Sequence, residues 1–480
     1  MERFNNADAQ RLFQEALEID PKHAGALLGM AVVASDGFDQ KAVEFAAKAL
    51  ESDPKLLEAQ ELLAQLALED TNVDKAIEEA NKALQISPEA LDAMAIHASI
   101  DLLNEKPSSP WFERIARINP RYGEAWAMAA HILILNRRYE EGIAAYRKAL
   151  ELTPELQRAR SQMGINLMRL GLEKEAREQL VQAFEAGYRD SATTNSLRLI
   201  DSYKNFVTFQ TPKTIVRLHK KEAELLKPYI EGELQRAIAT FEKKYKLVLD
   251  KPVQVEVYPD HDDFAVRTLG MPGLGALGVT FGRVVAMDSP SGRKPGSFHW
   301  ASTLWHELSH VFVLTATNHR VPRWFTEGMA VHEETAASPD WGDRLDPEAI
   351  KAIAGKKLLP VAKLDRGFIR PTYPSQVVVS YFQAGRICDY IAEKWGYDKL
   401  LAMMHEFGKS TPTGDVITKE LGLKPEDFDT EFLAWLETGT KKTVEGFTQW
   451  RKRMAVLAQA SSAGKLDDVI KEYRADRRLS

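Results

Sequence analysis

The sequence predicts a mainly α protein with a small sheet. An N-terminal α-solenoid of repeats is expected over 1–205, an α+β domain over 206–445, and C-terminal helices over 446–480. Three observations carry this reading. Prolines recur at Pro21, Pro54, Pro88, Pro120 and Pro154, spaced by 33, 34, 32 and 34 residues. That period disappears from about Phe206. Beyond it, helical apolar spacing alternates with a period-two stretch and with segments punctuated by Gly and Pro.

The repeats come first in the chain. Four of the prolines close similar phrases, ALEIDP, ALESDP, ALQISP and ALELTP, and five residues before them stand Ala16, Ala49, Ala83 and Ala149. Twelve residues before them stand Ala9, Ala42, Ala76 and Gly142, and Ala176 and Ala183 continue the pattern into one more unit. Small residues let two antiparallel helices approach closely, and a proline ends one helix and suits the start of the next. This 34-residue pattern resembles the tetratricopeptide repeat, with about five to six units of which the first is incomplete. The resemblance places Trp126 and Tyr146 among the larger packing residues and implies a concave groove that takes a protein or peptide partner. Around Asn104–Pro120 the small positions become Ser108 and Ile115 and KPSSP interrupts the phrase, so a distorted unit is expected there.

Composition narrows the classes. At 480 residues the chain is too long for one hydrophobic core. Hydrophobic residues at 44% and charged residues at 28% exclude a disordered chain, and a net charge of -6 offers nothing to nucleic acid. Cys388 is the only cysteine, which excludes an internal disulfide framework and a Cys-rich metal site. No apolar run approaches the roughly 20 residues that span a bilayer, and the start MERFNNADAQ carries no signal peptide, so the chain as written is expected to be soluble and untargeted. The phase of the repeat suggests more sequence at both ends. Met1 falls inside a unit, and AGKLDDVIKEYRADRRLS matches a second repeat helix with Tyr473 corresponding to Tyr146. An exported parent protein is compatible with that reading.

After Phe206, HKKEAELLKPYIEGELQRAIATFEKKYK reads as a long amphipathic helix and VQVEVYP as a half-buried strand. The following Gly- and Pro-rich stretch suits a hairpin or edge strand, with VTFGRVVAM as its best strand. Then comes ASTLWHELSHVFVLTATNHRVPRWFTEGMAVHEE. His306, Glu307 and His310 form H-E-x-x-H within apolar neighbours that suit a buried helix. Positions 306 and 310 share one helix face, so two imidazoles can bind one zinc ion, while Glu307 reaches a metal-activated water without being a ligand. Pro322 suits the start of a second helix carrying Glu327, a third ligand that completes a His₂Glu set with one open position. Gly328 is expected to let this helix pack against the motif helix, and Glu333 and Glu334 are weaker candidates for orienting a ligand histidine. His261, His299, His319, His332 and His405 read as structural histidines.

HELSH followed by WFTEG resembles the gluzincin metallopeptidases, specifically the peptidase MA-like domains joined to tetratricopeptide repeats, over about Val253–Trp435. Sixteen residues separate His310 from Glu327, fewer than in the thermolysin-like and aminopeptidase branches. The resemblance implies a zincin-like domain with one Zn²⁺ per chain held by His306, His310 and Glu327, and Glu307 as general base. It also implies that GALGV at Gly275–Val279 belongs to an edge strand that holds substrate backbone, and that Tyr381, in SYFQAGRICDYI, stabilises the oxyanion. The expected activity is peptide-bond hydrolysis within a chain, because GALGV lacks the carboxylate with which the aminopeptidase branch binds a free amine. The competing expectation is an inactive repeat scaffold with a peptidase-like domain. Cys388 is expected to be a core thiol.

Overall fold

The computed structural model describes residues 6–36, 41–273, 275–341, 345–464, 467 and 470. The expected repeat helix around Tyr473 lies outside them. The chain divides into two compact units, Met1–Arg320 and Val321–Ser480.

Among the described residues, the first unit opens with twelve helices: α1 (Asn6–Ile19), α2 (Ala24–Asp36), α3 (Lys41–Ser52), α4 (Leu57–Glu69), α5 (Val73–Ile86), α6 (Leu91–Leu103), α7 (Pro110–Ile118), α8 (Glu124–Leu135), α9 (Tyr139–Leu152), α10 (Gln157–Arg169), α11 (Glu173–Glu185) and α12 (Ser191–Ser202). The repeated small residues sit where helices cross: Ala42, Ala49, Ala76, Ala83, Ala149, Ala176 and Ala183 are all buried. The distorted unit is there too. Its second helix, α7, has only 9 residues, because Ser109 caps it at Pro110 and the KPSSP stretch is spent on the loop before it.

A short 3₁₀ turn then leads into β1 (Phe206–Gln210) and β2 (Thr214–His219). This antiparallel hairpin was not expected; FVTFQ-TPK-TIVRLH carries the alternation and the Pro-containing turn that mark one. Helix α13 (Ala223–Tyr245) crosses over to β3 (Val253–Tyr258), parallel to β2, and α14 (His261–Leu269) leads to β4 (Gly278–Phe281) and β5 (Val284–Asp288). The five strands lie in the order β1-β2-β3-β5-β4, so β4 is an edge strand. VTFGRVVAM is therefore two strands, not one, and Gly282 at φ +69° turns between them.

Strand β3 was expected to be half-buried, but every residue in it is buried. It is a central strand with both faces covered, and its polar face holds an ion network. Glu256 accepts from Arg267 at 2.7 Å, from Tyr258 at 2.6 Å and from Gln254 at 2.6 Å, and Arg217 lies 3.2 Å away. Burial opposes the Glu256 charge, but Arg267 and Arg217 outweigh it and hold the carboxyl down to about 2. Arg267 also donates to the Met168 carbonyl at 2.7 Å, and Glu173 accepts from Arg217 at 2.9 Å. One apolar core thus runs from Met168, Leu180 and Leu199 of the last repeats to Tyr258, Phe264 and Phe281 around the sheet. The unit ends with α15 (Trp300–Ala316).

The second unit comprises α16 (Arg323–Ala337), α17 (Pro347–Ala354), α18 (Asp365–Ile369), α19 (Gln376–Trp395), α20 (Tyr397–Phe407), α21 (Thr413–Leu421) and α22 (Pro425–Ser462). Helix α22 runs unbroken through residue 445. Among the described residues no helix is long and apolar enough to cross a membrane.

Candidate metal centre

Helix α15 is capped by His299, whose ring accepts from the Ser302 amide, and buries Leu304, Leu308, Val311 and Phe312. Two polar anchors fix its rotation. Trp305 donates its indole N–H to Glu233 of α13 at 2.6 Å, and Ser309 bonds Tyr245 of α13 at 2.8 Å. Phe241 packs edge-on against Trp305 and Phe312 at 5.1 and 5.6 Å. His306 and His310, one turn apart, bring their ring centres to 4.7 Å.

Glu307 faces β4. Its side chain is buried, and Thr280 Oγ1 stands 2.7 Å from its Oε2 and 2.9 Å from its backbone oxygen. Gly278 is required beside it: a Cβ there would lie 2.7 Å from Glu307 Cγ and 2.9 Å from Thr303 Cγ2. The roles of Gly278 and Thr280 were missed in the sequence, although a glycine opening a strand is a signal of close backbone approach.

In the second unit, α16 begins after Pro322 and is held by the Trp324 amide donating to Asp365 at 2.7 Å. Glu327 is buried, and Arg323, one turn before it, places Nε 3.3 Å from its Oε1. The same guanidinium hydrogen-bonds the Tyr381 phenol on α19, whose ring packs edge-on against Phe368 at 5.1 Å. Gly328 permits a close approach to α19 within the second unit. A Cβ there would meet the Ala384 carbonyl at 2.5 Å and Cys388 Sγ at 2.8 Å. Cys388 is a buried core thiol whose pKa burial pushes well up. Glu333 is buried and accepts from Tyr397 at 2.7 Å; His332 pairs with Asp389 at 2.6 Å.

Among the described residues, one group offers the donors a metal needs. His306, His310 and Glu327 each present one ligand atom, and the three atoms lie within 4.8 Å of one another. Two imidazole nitrogens and one carboxylate oxygen are a donor set that could hold a divalent metal ion.

A helical repeat region and a buried H-E-x-x-H helix beside a small mixed sheet define a repeat protein with a peptidase-like domain. Residues 233–438 match the Peptidase MA superfamily and residues 123–156, helices α8 and α9, match the tetratricopeptide repeat. Among curated proteins, the chain is similar to the peroxisomal targeting signal receptor of Candida glabrata, 30% identical over 116 residues, 23% of this chain and 20% of that protein. It is also similar to the receptor of the same name from Kluyveromyces lactis, 27% identical over 180 residues, 35% of this chain and 31% of that protein. The chain spans less than a third of either relative. Similar solved structures include YrrB, described as a TPR protein with an unusual peptide-binding site, at 21% identity, covering 36% of this chain and 91% of that one, with a TM-score of 0.22. The TPR domain of P58(IPK) is 12% identical, covering 86% of this chain and 94% of that one, also at 0.22.

Proposed function

We propose that the chain is a zinc-dependent metallopeptidase of gluzincin type whose repeats recruit a protein substrate or partner. The observation that carries this reading is the clustering of His306, His310 and Glu327 donor atoms within 4.8 Å. These residues would hold the metal. A zinc ion in such a set polarises a peptide carbonyl and lowers the pKa of water toward about 7.

The protein's own groups supply the rest. Glu307 takes a proton from the attacking water and delivers it to the leaving amine, acting first as base and then as acid. The Thr280 hydroxyl orients its carboxylate. Tyr381 donates a hydrogen bond to the developing oxyanion, and Arg323 links that phenol to Glu327. Strand β4, an edge strand among the described strands, would align an extended peptide by backbone hydrogen bonds, which suits cleavage within a chain. Metal analysis after dialysis tests the ligand assignment: near one zinc per chain is expected in the wild type and strong loss in His310→Ala. Full zinc retention by that variant would remove His310 from the site.

A further inference from the structure

The turn that closes α15 has an improbable backbone. Asn318 and His319 are both left-handed, at φ +47° and +63°; Asn and His enter this region more readily than other non-glycine residues, but two in succession are uncommon. The groups that hold the turn belong to the repeats. Arg320 grips Glu105, between α6 and α7, with two bonds of 2.7 and 2.9 Å, and lies 3.6 Å from Glu141 of α9. Arg138 completes the cluster. It pairs with Glu141, stands 3.2 Å from Glu105, and donates to the carbonyls of Leu102 and Leu103.

Tyr139, the first residue of α9, meets the same turn from another side. Its ring is edge-on to His319 at 6.1 Å and to Phe281 at 6.0 Å. Phe281 ends β4, one residue after Thr280, and lies under the guanidinium groups of Arg169 at 5.4 Å and Arg267 at 5.5 Å. The repeats therefore touch both the strand whose threonine holds Glu307 and the turn that follows the motif helix.

We propose that the repeats are part of the metal centre's scaffold, with Glu105, Tyr139 and Arg320 as positioning residues. They fix the end of α15 and the height of β4, and through them His310 and Glu307. A displacement of 1 Å at such groups is enough to cost about a hundredfold in rate. The inference rests on the zinc-peptidase reading.

The Glu105 side chain is 47% exposed and Arg320 12%, so removing charge at the solvent end of the pair should change global stability little. Variants at this pair should therefore fold. The test is a double-mutant cycle of Glu105→Gln and Arg320→Gln, reading zinc affinity by chelator competition, the melting midpoint of the metal-free protein, and kcat and KM separately. Each single variant should weaken zinc binding by about 10-fold and lower kcat with KM nearly unchanged, while the metal-free midpoint holds. The double variant should lose no more than the worse single. Tyr139→Leu, which keeps apolar packing but removes the ring, should act in the same direction by the second contact. Wild-type zinc affinity and kcat in Glu105→Gln, Arg320→Gln and Tyr139→Leu would overturn the proposal and leave the peptidase reading standing. A wild type that binds no zinc would overturn both.

Discussion

Thr280 Oγ1 stands 2.7 Å from Oε2 of Glu307, a hydrogen bond that ties the edge strand of the sheet to the proposed catalytic base. A carboxylate held this way presents its other oxygen in one orientation, so the height of β4 sets where the base points. That link makes the neighbouring backbone as consequential as the motif itself.

Gly278→Ala should be damaging out of proportion to its size. The added methyl falls within 3.0 Å of Glu307 and Thr303 atoms, so the base or the strand must move. We expect kcat/KM to fall by about 10²-fold with zinc content unchanged. A variant within a few-fold of wild type would show that this approach is not used.

His319 gives the first unit a pH dependence of known sign. Burial, followed by the Arg137 and Arg320 charges, holds its pKa down to about 4 from the ordinary 6.5. The unfolded chain therefore binds a proton that the folded chain refuses, and stability falls as pH drops from about 6.5 toward 4. Asparagine tolerates the left-handed backbone but does not titrate. Melting midpoints at pH 7 and pH 4.5 should drop less for His319→Asn than for wild type, and equal drops would contradict the assignment.

A fragment beginning at residue 206 should not fold cooperatively. It would expose the Tyr258, Phe264 and Phe281 side of the core and leave Arg267 without the Met168 carbonyl. Circular dichroism melts check this; a sharp transition near that of the full chain would show that the sheet needs no repeats.

Cleavage should be internal. Gly278 and Val279 at the start of β4 offer no carboxylate for a free amine, and a buried ammonium without a partner is costly. Free and N-acetylated forms of one peptide, followed by mass spectrometry, should be cut at the same internal bond. Single residues released from the free form alone would contradict this.

Much of this was legible in the sequence because the signals are local. The proline period and its alanines mark helix crossings that recur within each unit, and His306, Glu307, His310 and Glu327 lie on two successive helices. What was not legible depends on contacts between distant segments. The β3 alternation looked half-buried because Glu256 reads as solvated until Arg217 and Arg267 are brought to it. The closeness of Gly328 to α19 is not legible because nothing near it in sequence names that helix. Glu105 and Arg320 lie 215 residues apart, and no spacing rule joins them.

The most direct measurement pairs zinc content with peptide hydrolysis in the wild type and in Glu307→Gln. The amide keeps the volume of the acid but cannot take a proton from water. Near one zinc per chain is expected in both proteins, with cleavage by the wild type alone. A zinc-free wild type would overturn the metallopeptidase assignment, and a variant that cleaves within a few-fold of wild type would remove Glu307 as its base.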